Sequence, residues 1–134
     1  MRKYAILACL LALAAPAAAA ELPPLRENSY INDRLLVAAI GDRIRTECPT
    51  ISERRAVTRT QAFRLLAYTL NLGYSRAQID AYLNDPDNRA WMNGRRDAWL
   101  AANGAVDGDP DSFCAIGLRE IERGTLLGSL MRAD

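Results

Sequence analysis

The sequence predicts an all-α fold, a small bundle of about five helices closed by one disulfide. Apolar residues recur at the three- and four-residue spacing of helices along the chain after Ala20. Capping residues and glycines separate these apolar stretches, and two cysteines, Cys48 and Cys114, lie within this part of the chain. Because the chain has 134 residues, of which 50% are hydrophobic, it is long enough for one core and too short for two.

The first twenty residues have the pattern of a secretory signal peptide. Arg2 and Lys3 precede an apolar stretch over residues 4–13, and small residues follow Pro16 up to Ala20. This order predicts cleavage after Ala20 and a periplasmic or secreted protein. A retained anchor is the alternative. The apolar stretch is interrupted by Pro16 and is shorter than the roughly 20 residues of a spanning helix, so we expect no stable membrane anchor after cleavage.

Cleavage would leave a chain with balanced charge and no histidine. Residues 21–134 hold 15 arginines and 16 acidic residues, which gives a net charge of −1. We therefore expect no binding to nucleic acid. Histidine is the usual general base and the commonest metal ligand, so its absence predicts that the protein is not an enzyme and holds no metal or cofactor.

The two cysteines that remain after cleavage predict one disulfide. An even pair in an exported chain is typical of a bridge, here between Cys48 and Cys114, and two buried thiols that never meet are the alternative. The bridge would close a loop of 67 residues, for which chain entropy gives about 4 kcal/mol. It would also tie the end of the first helix to the first turn of the fifth, making these helices antiparallel neighbours.

The chain after the leader begins with a non-helical segment. Residues 21–28 contain two prolines and are predicted as an extended lead-in, and residues 29–134 are predicted as a single helical domain. The first helix is predicted over Ser29–Glu47. It ends at Cys48-Pro49 because the residue before proline avoids helical angles.

The second helix is predicted to begin at Thr50-x-x-Glu53, a capping box in which each side chain binds the other residue's backbone amide. Its predicted buried face consists of Val57, Phe63, Leu66, Ala67 and Leu70. A basic stretch near its start is expected to be a solvated face paired with acidic residues: Arg54, Arg55 and Arg59. Gly73 is expected to end the helix, at a position that needs a positive φ.

Three further helices have start signals of their own. Ser75-x-x-Gln78 is a second capping box, and the third helix runs to about Leu83. Asp85-Pro86 and Asp109-Pro110 combine a capping residue with a proline that suits the first helical position. They predict a fourth helix through about residue 102 and a fifth over residues 110–123, each followed by a glycine, and a short amphipathic piece over residues 126–131.

One set of side chains is a candidate interaction surface. Trp91, Arg95 and Trp99 recur every four residues and therefore share one face of the fourth helix. Two indoles with a guanidinium between them suit a peptide, a glycan or an aromatic group of a partner. The alternative is a core edge over which the arginine stem lies.

Two other motifs favour structural roles. Residues 72–79 resemble the turn and second helix of helix-turn-helix DNA-binding proteins, but Asp80 and the balanced charge oppose DNA binding. Asp107, Asp109 and Asp111 alternate as in a calcium loop. The glycine and the bidentate glutamate which that loop needs are missing, and helix capping explains the acids.

Several short strings carry a resemblance to a known family. They are Leu22-Pro23-Pro24-Leu25-Arg26-Glu27-Asn28-Ser29-Tyr30-Ile31-Asn32-Asp33-Arg34-Leu35, Cys48, Cys114, Gly117, Glu120-Ile121 and Gly124-Thr125-Leu126. In these the chain resembles DUF5333, a family of small secreted proteins of Gram-negative bacteria (alphaproteobacteria) with no assigned function. Such proteins sometimes bear a respiratory NADH dehydrogenase label, so the resemblance implies at most a loose link to a respiratory assembly. Two cysteines are too few for an iron–sulfur cluster.

The sequence therefore predicts an accessory or assembly factor of the periplasm that acts through contact with a protein partner. The alternative is a small chaperone of the acid-stress type, whose trigger would be carboxylates titrating near pH 4 because histidine is absent. A cell-wall carbohydrate-active enzyme is the third possibility. It would use Glu120, the one acid that the pattern places among apolar neighbours.

Overall fold

Helices form most of the chain between Glu21 and Asp134, the part that this computed structural model describes. The predicted signal peptide, residues 1–20, lies outside the described residues. The helices are α1 (Ser29–Glu47), α2 (Arg55–Asn71), α3 (Arg76–Asn84), α4 (Pro86–Ala102), α5 (Pro110–Arg123) and α6 (Leu126–Ser129). The strands are β1 (Ile51–Glu53) and β2 (Met131–Ala133). The all-α prediction is confirmed.

Helix starts agree with the sequence prediction where a capping side chain is present. Ser75 and Gln78 form the reciprocal capping box at the start of α3. The carboxylates of Asp85 and Asp109 accept backbone N–H groups in the first turns of α4 and α5, and proline follows each. Because these side chains satisfy amides that have no helical partner, α4 and α5 begin where predicted. Gly73, with φ of 103°, follows the end of α2.

The predicted extended lead-in is partly helical. Leu25–Glu27 form a 3-10 turn, and Leu25 is buried against Ile31 and Tyr74. Asn32 holds this turn from α1, since its side-chain amide donates to the carbonyls of Leu25 at 2.9 Å and Asn28 at 2.7 Å. The difference from the prediction arises because Leu25 has an apolar site to fill and the turn brings it there.

The predicted capping box at Thr50-x-x-Glu53 is wrong, because Thr50 lies in the turn before β1 and Glu53 is the last residue of that strand. This strand pairs antiparallel with β2, with Ile51 opposite Ala133 and Glu53 opposite Met131. The Thr50 hydroxyl lies 3.3 Å from the Cys48 sulfur instead of capping a helix. Burial of Ile51 in the core and pairing with the chain terminus override the local signal, so α2 begins at Arg55, and Arg54 before it makes no side-chain capping bond.

Two clusters of buried side chains hold the helices together. The main core lies between α1, α4, α5, α6 and the two strands, and consists of Ile40, Ile44, Cys48, Ile51, Leu100, Phe113, Ile116, Leu127 and Met131. The minor core joins the lead-in, α2 and α3 to the other side of α1. It consists of Leu25, Ile31 and Tyr74, with Leu35, Leu65, Tyr68, Ile79 and Tyr82 packed against them.

The disulfide joins α1 to α5 as predicted. The Cα atoms of Cys48 and Cys114 are 5.1 Å apart. One turn before Cys48, Ile44 lies against Gly117, and farther from the bridge Ile40 and Glu120 line the same cleft. Residues later in α5 therefore contact residues earlier in α1, so the two helices are antiparallel neighbours.

Candidate protein-interaction surfaces

The tryptophan stripe, Trp91, Arg95 and Trp99, is half-buried on the side of α4 that faces α1 and the lead-in. The guanidinium groups of Arg26 and Arg95 lie 4.6 Å and 5.0 Å from the ring centre of Trp91. Arg95 also pairs with Asp33 of α1 at 3.2 Å. The stripe therefore binds the lead-in and α1 to α4 by cation–π and ionic contacts.

Trp99 belongs to the edge of the main core. It packs against the buried cluster and lines a cleft with Leu36, Ile40 and Glu120. The geometry agrees with a core edge, since Trp99 packs on the core and the Arg95 guanidinium lies over the Trp91 ring. Partner binding by the tryptophan stripe stays a prediction.

Glu120 is buried, with 4% of its surface exposed, and lines an apolar cleft with Leu36 and Ile40, but its carboxylate has polar partners. The Thr125 hydroxyl donates to its carboxylate at 2.7 Å, and the Arg123 guanidinium lies 3.4 Å away. These contacts close the turn from α5 into α6, which gives Glu120 a structural role that needs no substrate.

The acids of the calcium-like motif have partners within the fold. Asp107 pairs with Arg43 at 3.6 Å, and Asp109 caps α5 through the amide of Asp111. Within residues 21–134, no group of three His, Cys, Asp or Glu side chains is arranged to hold a metal ion. Among the helices that the structure describes, none has the length and apolar composition needed to cross a bilayer.

The most exposed large apolar side chain of the described residues lies on α2. Phe63 has 64% of its surface exposed and Leu70, two turns later, has 40%. Helical spacing predicted both side chains as buried, and that prediction is wrong. The side of α2 that faces the protein instead carries Thr58, Gln61, Leu65 and Thr69, since Leu65 joins the minor core and Thr69 is buried.

Helix geometry places four exposed residues on one line along α2. At about 100° per residue, Ala56, Phe63, Ala67 and Leu70 point to the same side, within a sector of about 60°, opposite the face that packs on α1. Three exposed arginines lie beside this line, Arg55 and Arg59 on one flank and Arg64 on the other. We call these seven residues the α2 outer face.

The arginines of the α2 outer face have no acidic partner within the described part of the chain. Arg55, Arg59 and Arg64 take part in none of the ion pairs there. Arg54, just before the helix, donates to the carbonyl of Ser129. The prediction that this basic stretch pairs with acidic residues is therefore wrong.

A signal for this surface is present in the sequence. Residues 54–72 contain four arginines and no acidic residue, and apolar residues are spread around the whole circumference of the helix. Such a distribution does not identify which apolar residues are buried, because two opposite lines both have helical spacing. Spacing alone therefore predicts Phe63 and Leu70 in the core, where the structure does not place them.

Within residues 21–134, two ionisable groups have clearly shifted pKa values, and both shifts move the pKa away from 7. Burial raises the pKa of the Tyr82 phenol above its ordinary value of 10.0, although Arg26 and Arg95 oppose this. The hydrogen bond from Arg96 lowers the pKa of the Asp97 carboxyl below 3.8. Neither group gains the pKa near 7 that favours general acid–base catalysis.

Comparison with known proteins identifies a family and nothing more specific. Residues 23–132 match a family described as a family of unknown function, DUF5333. No curated protein and no solved structure matches the chain. The matched region contains both cysteines of the disulfide and all of α1 to α6. The chain belongs to the DUF5333 family, as the resemblance predicted.

Proposed function

We propose that the protein is an exported accessory or assembly factor that acts by binding a partner protein, and that the α2 outer face is its binding surface. The observation that carries the proposal is the exposure of Phe63 beside Leu70 on a face that the fold itself does not use. Phenylalanine and leucine anchors at positions i and i+7, with Ala67 between them, are the pattern by which a helix docks into a groove of another protein.

The remaining chemistry of the chain supports contact over catalysis. The chain has no histidine, and Glu120, the carboxylate singled out for an enzyme, is bound by Thr125 and Arg123. Arginine and aromatic residues, phenylalanine among them, are enriched in protein interfaces relative to the rest of the surface. Phe63 with its flanking arginines has that composition.

Site-specific photo-cross-linking in intact host cells tests the proposal. A benzophenone amino acid is placed at Phe63 and, as a matched control, at Leu118, another large apolar residue with 46% of its surface exposed, on α5. We expect a discrete protein adduct from position 63 and none from position 118. Equal adducts from both positions, or none from position 63, would contradict the proposal.

The same experiment separates the two candidate surfaces. Trp91→Ala removes the stacked indole of the tryptophan stripe without touching α2. We expect this variant to keep the adduct at position 63. If the variant still folds, as judged by circular dichroism, and the adduct is lost, the binding surface is the tryptophan stripe and not the α2 outer face.

A further inference from the structure

The net charge of the described chain conceals a separation of charge. Residues 54–72, which contain α2, hold four arginines and no acid, whereas the rest of residues 21–134 holds eleven arginines and sixteen acids. Residues 54–72 therefore carry a net charge of +4, of which +3 lies on α2 itself, and the remainder carries −5. A protein that is nearly neutral as a whole thus presents one strongly basic helix.

Seven of the eleven other arginines in the described residues pair with carboxylates of the fold. Arg43 pairs with Glu47 at 3.0 Å, and Arg95 pairs with Asp33 at 3.2 Å. The three arginines of the α2 outer face have no such pair, and all three are exposed. Their charge is therefore available to a partner, because no internal carboxylate neutralises it.

The arrangement of these charges defines the shape of a matching surface. Phe63 and Leu70 are seven residues apart, a distance of about 10 Å along the helix axis. Arg55 and Arg59 lie one turn apart on one side of this line, and Arg64 lies on the other side. A groove that holds the apolar line would have to place carboxylates along both rims to meet these guanidinium groups.

We propose that the partner of the α2 outer face is an acidic protein surface, a short apolar groove that receives Phe63 and Leu70 between two carboxylate-bearing rims. This inference rests on the proposed function and adds the chemistry of the partner. Two observations support the inference: α2 contains no acidic residue, and its unpaired arginines lie on both sides of the apolar line.

The geometry favours a protein groove over an anionic lipid surface. A helix that lies in a lipid interface needs a broad apolar face, whereas the apolar line of α2 covers about 60° and includes the small residues Ala56 and Ala67. The small residues suit close approach of a second backbone. The net negative charge of the remaining chain also opposes attraction of the whole molecule to an anionic membrane.

The test measures binding of the full chain to the protein captured by the cross-link at position 63, as a function of NaCl concentration. Arg55→Gln, Arg59→Gln and Arg64→Gln are combined in one variant. We expect this variant to bind about tenfold more weakly at low salt and to lose most of the salt dependence of the wild type. The control variant combines Arg76→Gln and Arg89→Gln, two exposed arginines of α3 and α4 that form no ion pair within residues 21–134. It should bind like the wild type.

The outcomes distinguish this inference from the proposed function. If Phe63→Ala with Leu70→Ala weakens binding while the triple glutamine variant binds with wild-type affinity and salt dependence, the protein interface stands and its acidic character is overturned. If position 63 cross-links to phospholipid, and the full chain binds phosphatidylglycerol vesicles in a manner that requires Phe63, the partner is a membrane and both proposals fail.

Discussion

Gly117 lies where α5 approaches α1 and β1 most closely. A side-chain carbon at this position would overlap the end of Ile51 and come within 3.0 Å of the Ile44 side chain. Ile44 and Ile51 are both buried in the main core, with 0% and 4% of their surface exposed. An added carbon would therefore require the packed Ile51 side chain to shift, so this glycine permits the close contact between the two helices that the disulfide also joins.

We expect Gly117→Ala to lower the free energy of unfolding by about 1–3 kcal/mol through overpacking. Gly94→Ala is the matched control, since Gly94 also lies within a helix but has no atom within 4 Å of the added carbon. That substitution should raise stability by about 0.5–1 kcal/mol, the difference in helix propensity. Denaturant unfolding measures both. Two changes of the same sign would contradict the packing assigned to Gly117.

At the scale of single elements, α2 differs from the other long helices because the main core does not include it. Its inward face meets α1 and α6 across a shallow apolar groove lined by Leu35, Val37, Leu65, Leu126 and Leu130. Leu65 and Tyr68 also attach it to the minor core. The helix is held by one of its faces, and the face with Phe63 contributes nothing to that attachment.

The two phenylalanines of the chain provide a direct test of this assignment. Phe113 is 2% exposed in the main core, whereas Phe63 is 64% exposed on α2. We expect Phe113→Ala to lower the free energy of unfolding by about 3–5 kcal/mol and Phe63→Ala to change it by less than about 0.5 kcal/mol. Thermal and urea unfolding measure both variants. A large loss for Phe63→Ala would show that this side chain is part of the core.

At the scale of the whole molecule, the ionisable groups predict a broad range of pH over which stability is constant. The pKa of Asp97 is lowered, so its contribution to stability is present above about pH 3.8 and is lost as the pH falls further. The pKa of Tyr82 is raised, so its contribution is present below about pH 10.0 and is lost as the pH rises further. No histidine is present to titrate between these limits.

We therefore expect the free energy of unfolding to be flat between about pH 5 and pH 9 and to fall on both sides. Denaturant unfolding from pH 3 to pH 11 measures this profile, and a transition near pH 6.5 would contradict it.

Arg96→Gln should return the pKa of Asp97 toward its ordinary value, as followed by NMR, while Arg89→Gln should not. The acid-stress chaperone prediction requires that apolar surface becomes exposed on the acidic side of this plateau.

The sequence predicted those parts of the fold that depend on neighbouring residues. Ser75 with Gln78 and the two Asp-Pro pairs cap helices through side chains a few positions away, so their effect is visible in the sequence. The disulfide between Cys48 and Cys114 was predictable because no third cysteine follows Ala20. Spacing also predicted that Trp91, Arg95 and Trp99 share one face of α4. It did not decide between an exposed interaction surface and a half-buried core edge.

Local sequence thus decided where α3, α4 and α5 begin, and the two cysteines decided which ends are joined. Contacts between distant residues decided the rest. Residues 51–53 form a strand and not the predicted capping box, because residues 131–133 at the far end of the chain pair with them. The outer face of α2 was selected in the same way, since α1 and α6 contact one apolar line of that helix and leave the other, with Phe63, in solvent. Burial depends on what the rest of the chain places beside a residue, and spacing along one helix does not contain that information.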